Sequence, residues 1–153
     1  MMPRKSKPGA TYPPDWKDIA RRVKDEANWR CVRCGAPHED RAGHTLTVHH
    51  LSMDPGDNRW HNLAALCCPC HLQIQHKVDL DRPWVMGEHS EWFKPYVAAH
   101  YASKYLGLEL TRRQTMGALD LLLPIERGIV VQGISPAALR EAVELRLLAA
   151  VAP

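Results

Sequence analysis

Hydrophobic positions along the chain follow helical spacing near the N terminus and an alternating pattern in the middle. From Trp16 onward, apolar residues recur at i, i+3, i+4, i+7 and i+11, which predicts an amphipathic helix. Residues 45–51 are β-branched and alternate, and residues 63–66 form a short apolar run. Pro69 suits the first turn of a helix that follows. The order strand, loop, strand, helix is therefore predicted for the central segment.

The second half of the chain is predicted to be helical. Aromatic residues at helical spacing predict a helix over residues 91–105, ended by Gly107, and such rings pack into a core more often than they stack on bases. Residues 111–123 and 135–151 have the pattern of two further helices. The last begins with a serine N-cap and a proline at the first helical position. Its apolar stripe consists of Leu139, Val143, Leu147 and Val151. This stripe could pack on the rest of the chain or join two copies of the chain.

Composition fits a soluble globular protein. The 153 residues are 45% hydrophobic and 24% charged, with a formal net charge of +3. Residues 1–30 hold eight Lys and Arg against four Asp and Glu, a surplus of four, so the basic charge lies near the N terminus and is compatible with a nucleic-acid partner. No apolar run reaches the about 18 residues of a membrane span. We expect no membrane partner and a cytoplasmic location.

The five cysteines fall in one stretch and include two Cys-x-x-Cys pairs, Cys31 with Cys34 and Cys67 with Cys70. This spacing is typical of a tetrahedral site in which four thiolates bind Zn²⁺. Such a site has no open coordination position, so we expect a structural zinc on which folding depends. Cys68 is left over and is predicted to point elsewhere.

Four residues in or directly after this stretch are more than that zinc needs: His49, His50, Asn62 and His71. Phosphodiester hydrolysis requires a metal ion to stabilise the phosphate and a base to take a proton from water. His50 fits the base, while His49 and His71 fit the ligands of a second ion. Strict β alternation would send His49 and His50 to opposite faces. Both reach one site only if the strand ends or bulges there, which the loop starting at Ser52 allows.

These motifs resemble the HNH endonuclease family of the ββα-metal fold, in its zinc-knuckle branch. The resemblance covers about a third of the chain. Its four elements occur here in order: Cys31-Val32-Arg33-Cys34, Val48-His49-His50-Leu51, Pro55-Gly56-Asp57-Asn58, and Asn62-Leu63-Ala64-Ala65-Leu66-Cys67-Cys68-Pro69-Cys70-His71. It implies an α+β fold, with a ββα-metal (HNH) core stapled by a zinc site of four cysteines, an N-terminal helix and a helical C-terminal extension.

The resemblance also implies a function. The chain would be a metal-dependent DNA endonuclease that leaves 5′-phosphate and 3′-hydroxyl ends, with His50 as general base and with His49 and His71 on the catalytic ion. Asn62 would either bind that ion or pin the loop, and both roles stay open. Many members carry Asp where His49 stands, so manganese, nickel or zinc join magnesium as candidate ions. His76 and Asp54 are further candidates for the site.

Four segments are predicted: a flexible basic arm over 1–13, the N-terminal helix and nuclease core over 14–80, an aromatic-rich helical extension packing on the core over 81–110, and a C-terminal helical region over 111–153. Arg59, Lys77 and the N-terminal basic residues are candidate phosphate contacts.

Three other arrangements stay open at this point. The chain could be a non-catalytic zinc-knuckle module that binds nucleic acid or protein. It could act as a homodimer. It could also belong to a larger phage or bacterial DNA-processing complex.

Overall fold

The computed structural model describes residues 11–75, 80, 91–123, 125–126, 129–130 and 133–151. They fall in two compact units, Met1–Leu80 and Asp81–Pro153. The predictions made for His76, Lys77 and most of the basic arm lie outside the described residues, and the predicted four-segment division stays a prediction.

The first unit contains a two-stranded antiparallel sheet with a helix before it and a helix after it. Its elements are α1 (Trp16–Glu26), β1 (Leu46–His50), a 3-10 turn (Trp60–Asn62), β2 (Leu63–Cys67) and α2 (Cys68–Ile74). The pairing runs without interruption from Leu46 opposite Cys67 to His50 opposite Leu63. The predicted order strand, loop, strand, helix and the α+β class are confirmed, and the arrangement is consistent with a ββα-metal fold.

The sheet of the first unit is covered on both faces. Helices α1 and α2 both pack on β1 and β2. Thr47 lies within hydrogen-bond distance of His71 on α2, whereas His50 stacks on Trp16 of α1. Because successive side chains of a strand point to opposite faces, the two helices lie on opposite sides of the sheet. Every residue of β2 is accordingly buried.

The second unit is built around one buried helix. Its elements are α3 (Lys94–Leu106), α4 (Arg112–Met116), α5 (Leu119–Leu122), a short hairpin of β3 (Ile125–Glu126) and β4 (Ile129–Val130), and α6 (Pro136–Val151). Helix α3 packs against α4, α5 and α6. Phe93, Tyr96 and Tyr101 are at most 4% exposed, which confirms that these aromatic residues belong to the core.

The structure of this unit differs from the sequence-based prediction in three ways. Helix α3 begins at Lys94 instead of residue 91. The single helix expected over 111–123 is two short helices, because α4 ends at Gly117, a residue of low helix propensity. The two-residue strands β3 and β4 were not predicted. Helix α6 starts as expected, with the Ser135 hydroxyl accepting a hydrogen bond from the Ala138 N–H at 3.1 Å.

The apolar stripe of α6 is buried over only part of its length. Leu139 and Val143 are at most 4% exposed, whereas Val151 is 79% exposed. No helix of the described part of the chain has both the length and the hydropathy needed to span a bilayer.

Candidate functional site

Two local structures bring the four paired cysteines together. In the first, Gly35 adopts a φ of +78°, and the Gly35 N–H donates to the Cys31 carbonyl at 2.8 Å, which closes a tight turn. The Val32 N–H then donates to the Ala65 carbonyl at 3.0 Å and ties this turn to β2. In the second, β2 ends at Cys67 and α2 carries Cys70 in its first turn.

The four sulfur atoms form one cluster. The ligand atoms of Cys31, Cys34, Cys67 and Cys70 all lie within 4.8 Å of one another. Three of these residues are buried, and Cys34 is exposed. Cys68 is not part of the group. Four thiols at this spacing are positioned to bind one metal ion, and a closed all-sulfur set is the donor set of a structural zinc.

The thiols of the cluster differ in acidity. Burial, with a further contribution from the neighbouring sulfurs, raises the pKa of the Cys70 thiol to about 12. Burial also raises the pKa of Cys67. For Cys31, burial acts in the same direction, but hydrogen bonds from the backbone of Cys67, Cys34 and Arg33 outweigh it and bring the pKa to about 7. Cys31 is therefore the most acidic of these three thiols, and a bound cation would be needed to ionise the others.

His71 follows the last of these cysteines and faces His49. Their ring centroids are 4.6 Å apart, with the planes inclined at 50°. The Thr47 hydroxyl donates to the Leu66 carbonyl at 3.2 Å and lies 3.3 Å from Nδ1 of His71. When the Thr47 hydroxyl gives its one proton to the Leu66 carbonyl, Nδ1 of His71 is the donor to the hydroxyl oxygen, and Nε2 keeps its lone pair. Burial lowers the pKa of His71, which favours the neutral ring that a metal ligand requires.

His50 lies on the other face of β1. Its Nε2 is 2.9 Å from Oδ1 of Asn58, and the Asn58 amide donates to the carbonyls of Pro55 and Gly56 at 3.3 and 3.4 Å. Since Oδ1 can only accept, Nε2 of His50 carries the proton and Nδ1 has the lone pair. The His50 ring also stacks on Trp16, with centroids 4.8 Å apart and planes at 27°.

The predicted meeting of three imidazoles is therefore present only in part. His49 pairs with Ala64 and His50 with Leu63 in regular register, so β1 neither bulges nor ends before His50. The structure brings His49 and His71 together and turns His50 toward α1. Within the described ranges, the cysteine cluster is the one group of three or more metal-binding side chains close enough to share an ion.

Asn62 fixes the loop between the two strands. Its side chain is fully buried, with Oδ1 accepting from the Ser52 N–H at 2.7 Å and Nδ2 donating to the Asp57 carbonyl at 2.8 Å. Both ends of the amide are thus used within the loop. Of the two roles left open by the sequence, this geometry favours pinning the loop.

The other candidates in the loop have structural partners. Arg59 donates to both carboxylate oxygens of Asp57 at 2.9 and 2.8 Å, and these bonds hold the pKa of Asp57 below its usual range. Asp54 accepts from the Gly56 N–H at 2.9 Å and stabilises the turn. Neither Trp16 nor Asn58 was predicted to belong to the site. Trp16 was predicted only as the start of an apolar stripe, and Asn58 only as part of the loop Pro55-Gly56-Asp57-Asn58 in the family resemblance.

Comparison with known proteins finds a family model and a relative that each match part of the chain. Residues 31–77 match the family model described as HNH endonuclease. A stretch of 65 residues is 34% identical to the Zorya protein ZorE of Escherichia coli. It covers 42% of this chain and only 17% of ZorE. No solved structure shows a significant match.

Proposed function

Residues 31–77 match the HNH endonuclease family, and from this premise we propose that the chain is a metal-dependent endonuclease that hydrolyses phosphodiester bonds in DNA. The products would carry 5′-phosphate and 3′-hydroxyl ends. The observation that carries the proposal is the contact between His71 and His49. In this contact His71, which directly follows the last cysteine of the second Cys-x-x-Cys pair, reaches the end of β1. A zinc-binding scaffold alone does not require that contact.

His49 and His71 would hold the catalytic ion. With Nδ1 of His71 donating to the Thr47 hydroxyl, Nε2 would have the lone pair that binds the ion. A divalent ion, when bound, stabilises the negative charge that develops on the phosphate. Two neutral ligands are compatible with Mg²⁺, Mn²⁺, Ni²⁺ or Zn²⁺. The four cysteines would hold a separate structural zinc.

His50 would act as the general base. Its Nε2 proton is held by Asn58, so Nδ1 is the atom that would accept a proton from the attacking water. Asn62 would keep the loop that carries Asn58 in place, through its bonds to Ser52 and Asp57.

DNA would contact the basic residues of α1. Three basic residues are exposed on this helix: Lys17, Arg21 and Arg22. The start of the same helix covers His50. Side chains of this kind bind phosphates without regard to base sequence. Arg59 and Lys77 remain candidates for the same role. The cysteines must stay reduced to bind a metal ion, and the cytoplasm keeps thiols reduced. The proposed location is therefore the cytoplasm.

A plasmid-nicking assay tests the proposal. The wild-type protein is incubated with supercoiled DNA and Mn²⁺ or Mg²⁺, with EDTA as the metal-free control. We expect nicking that EDTA stops, and nicks that DNA ligase reseals because the ends are 5′-phosphate and 3′-hydroxyl. His50→Ala should abolish nicking while DNA binding is kept, whereas His44→Ala, at an exposed histidine, should nick normally. Full activity of His50→Ala would remove His50 from the mechanism.

A second function has one observation in its favour. His50 lies on the opposite face of β1 from His49 and His71, an arrangement that a non-catalytic zinc-knuckle module for nucleic acid or protein would tolerate. Such a module would bind DNA or a protein but leave the plasmid uncut with every metal tested.

A further inference from the structure

Asn58 and two aromatic residues, Tyr12 and Trp16, contact the His50 ring, and both aromatic residues lie outside the segment that matches the HNH family. Asn58 holds the edge of the ring at Nε2, and Trp16 covers a face. Trp16 belongs to α1, which precedes residue 31. We propose that Trp16 is a positioning residue for His50, so that α1 is part of the catalytic unit. The inference rests on the proposed role of His50 as general base.

One hydrogen bond is not enough to orient an imidazole. Rotation about the bond between Cβ and the ring of histidine has a broad energy profile, so a ring tethered only at Nε2 can still tilt. The Trp16 indole lies 4.8 Å from the His50 centroid and only 27° from parallel, which restrains the plane of the ring. The lone pair of Nδ1 lies in that plane and points away from the stacked face. Stacking therefore fixes the direction of the lone pair without covering it.

The position of Trp16 is itself well determined. The backbone N–H of Trp16 donates to the Pro13 carbonyl at 3.0 Å. Ile19, one turn further along the helix, is buried. Helix α1 packs on both strands of the sheet. Tyr12 packs on Trp16 at 5.0 Å and also contacts the His50 ring, with centroids 5.6 Å apart and planes inclined at 54°, but it is 59% exposed. The more nearly parallel stack on His50 is made by Trp16, which belongs to a helix anchored to the same sheet.

A second tryptophan supplies a matched control. Trp29 follows the C-terminal end of α1 and packs its edge against His38 at 5.2 Å, in a tryptophan–histidine contact on the same unit. His38 accepts a hydrogen bond from the Leu46 N–H at 2.9 Å, so its environment is structural. Removing the Trp29 ring removes its contact with His38, which is also a tryptophan–histidine contact, and leaves the surroundings of His50 unchanged.

The test compares Trp16→Leu, Trp16→Phe and Trp29→Leu with the wild type, all at full length and loaded with zinc. For Trp16→Leu we expect kcat for plasmid nicking to fall about 10- to 100-fold, the size of effect that misorientation produces. KM should change by no more than about twofold, because every variant keeps the basic side chains of α1 that would contact DNA. Trp16→Phe keeps a flat face and should recover most of kcat. Trp29→Leu should nick like the wild type. Melting temperature and zinc content identify any variant that fails to fold.

A spectroscopic signature separates positioning from general stability. Stacking on the indole should shift the ring protons of His50 upfield, and the ¹⁵N spectrum should show the tautomer protonated at Nε2. Trp16→Leu should lose the upfield shift and mix the two tautomers, whereas Trp16→Phe should keep both features. A folded Trp16→Leu protein with wild-type kcat would overturn the inference, as would a Trp16→Phe protein no better than Trp16→Leu. In either case His50-dependent nicking by the wild type would leave the proposed function intact, whereas a wild type that never nicks would remove both.

Discussion

The imidazole of His71 lies 4.6 Å from that of His49, and His71 is the residue immediately after Cys70. The cysteine cluster therefore sets the position of the helical turn that delivers His71 to the end of β1. The histidine pair therefore depends on the scaffold that the cysteine site forms. Neither histidine is a member of the cysteine cluster.

This dependence makes a prediction for metal content. His71→Ala should weaken binding of Mn²⁺ at the second site by about tenfold or more, since loss of even an outer partner of a metal ligand has an effect of that size. The zinc held by the cysteines should stay at one per chain. Titration calorimetry with Mn²⁺ on zinc-loaded protein, together with elemental analysis, measures both quantities. His44→Ala is the control, and unchanged Mn²⁺ binding by His71→Ala would contradict the assignment.

A second prediction concerns which cysteines bind zinc. The exposure of a cysteine does not indicate whether it belongs to the cluster. Cys34 is exposed but belongs to the cluster, whereas Cys68 is partly buried but does not. Cys34→Ser should therefore lose zinc and unfold the first unit, because binding of a structural zinc is coupled to folding. Cys68→Ser should keep its zinc and its melting temperature. Zinc per chain and thermal melts followed by circular dichroism check this pair, and equal zinc loss in both variants would refute the four-ligand assignment.

The parts of the site that could be predicted from sequence are those set by local spacing. Two Cys-x-x-Cys pairs and an alternating strand are short-range patterns, and they predicted the cluster and the order of elements correctly. The contact of Trp16 with His50 joins residues on two separate elements, and periodicity predicts burial without naming the partner. The break at Gly117 depends on a single residue within an otherwise helical pattern, so it could not be read from the period alone.

Asn62 yields a prediction that distinguishes its two proposed roles. Asn62→Ala removes the side chain that bonds the Ser52 N–H and the Asp57 carbonyl, and each lost hydrogen bond costs about 0.5–1.5 kcal/mol. The free energy of unfolding should fall by at least that amount, measured by urea denaturation. Asn62→Asp keeps the acceptor for Ser52 but places a carboxylate against the Asp57 carbonyl, so it should also be destabilising. If Asn62 only bound a metal ion, both variants would be as stable as the wild type without added metal.

The second unit offers a pH-dependent prediction at the contact between α5 and α6. Arg146 donates to both carboxylate oxygens of Asp120 at 2.7 and 3.1 Å, and these bonds hold the pKa of Asp120 below its usual value of 3.8. Because the folded state prefers the ionised carboxylate, the pair stabilises this unit above that value. The stabilisation is lost as the pH falls through the lowered pKa. Both side chains are well exposed, so the effect should be small and should weaken in salt.

Carboxyl ¹³C shifts of Asp120, followed as a function of pH, measure this effect directly. The titration midpoint should lie below 3.8 in the wild type and rise toward that value in Arg146→Met, because the donor that stabilises the ionised form has been removed. Arg113→Met removes an exposed arginine from neighbouring α4 and should leave the midpoint where it is. A midpoint that moves equally in both variants would mean that the general positive charge of the surface, and not the paired bonds of Arg146, lowers the pKa of Asp120.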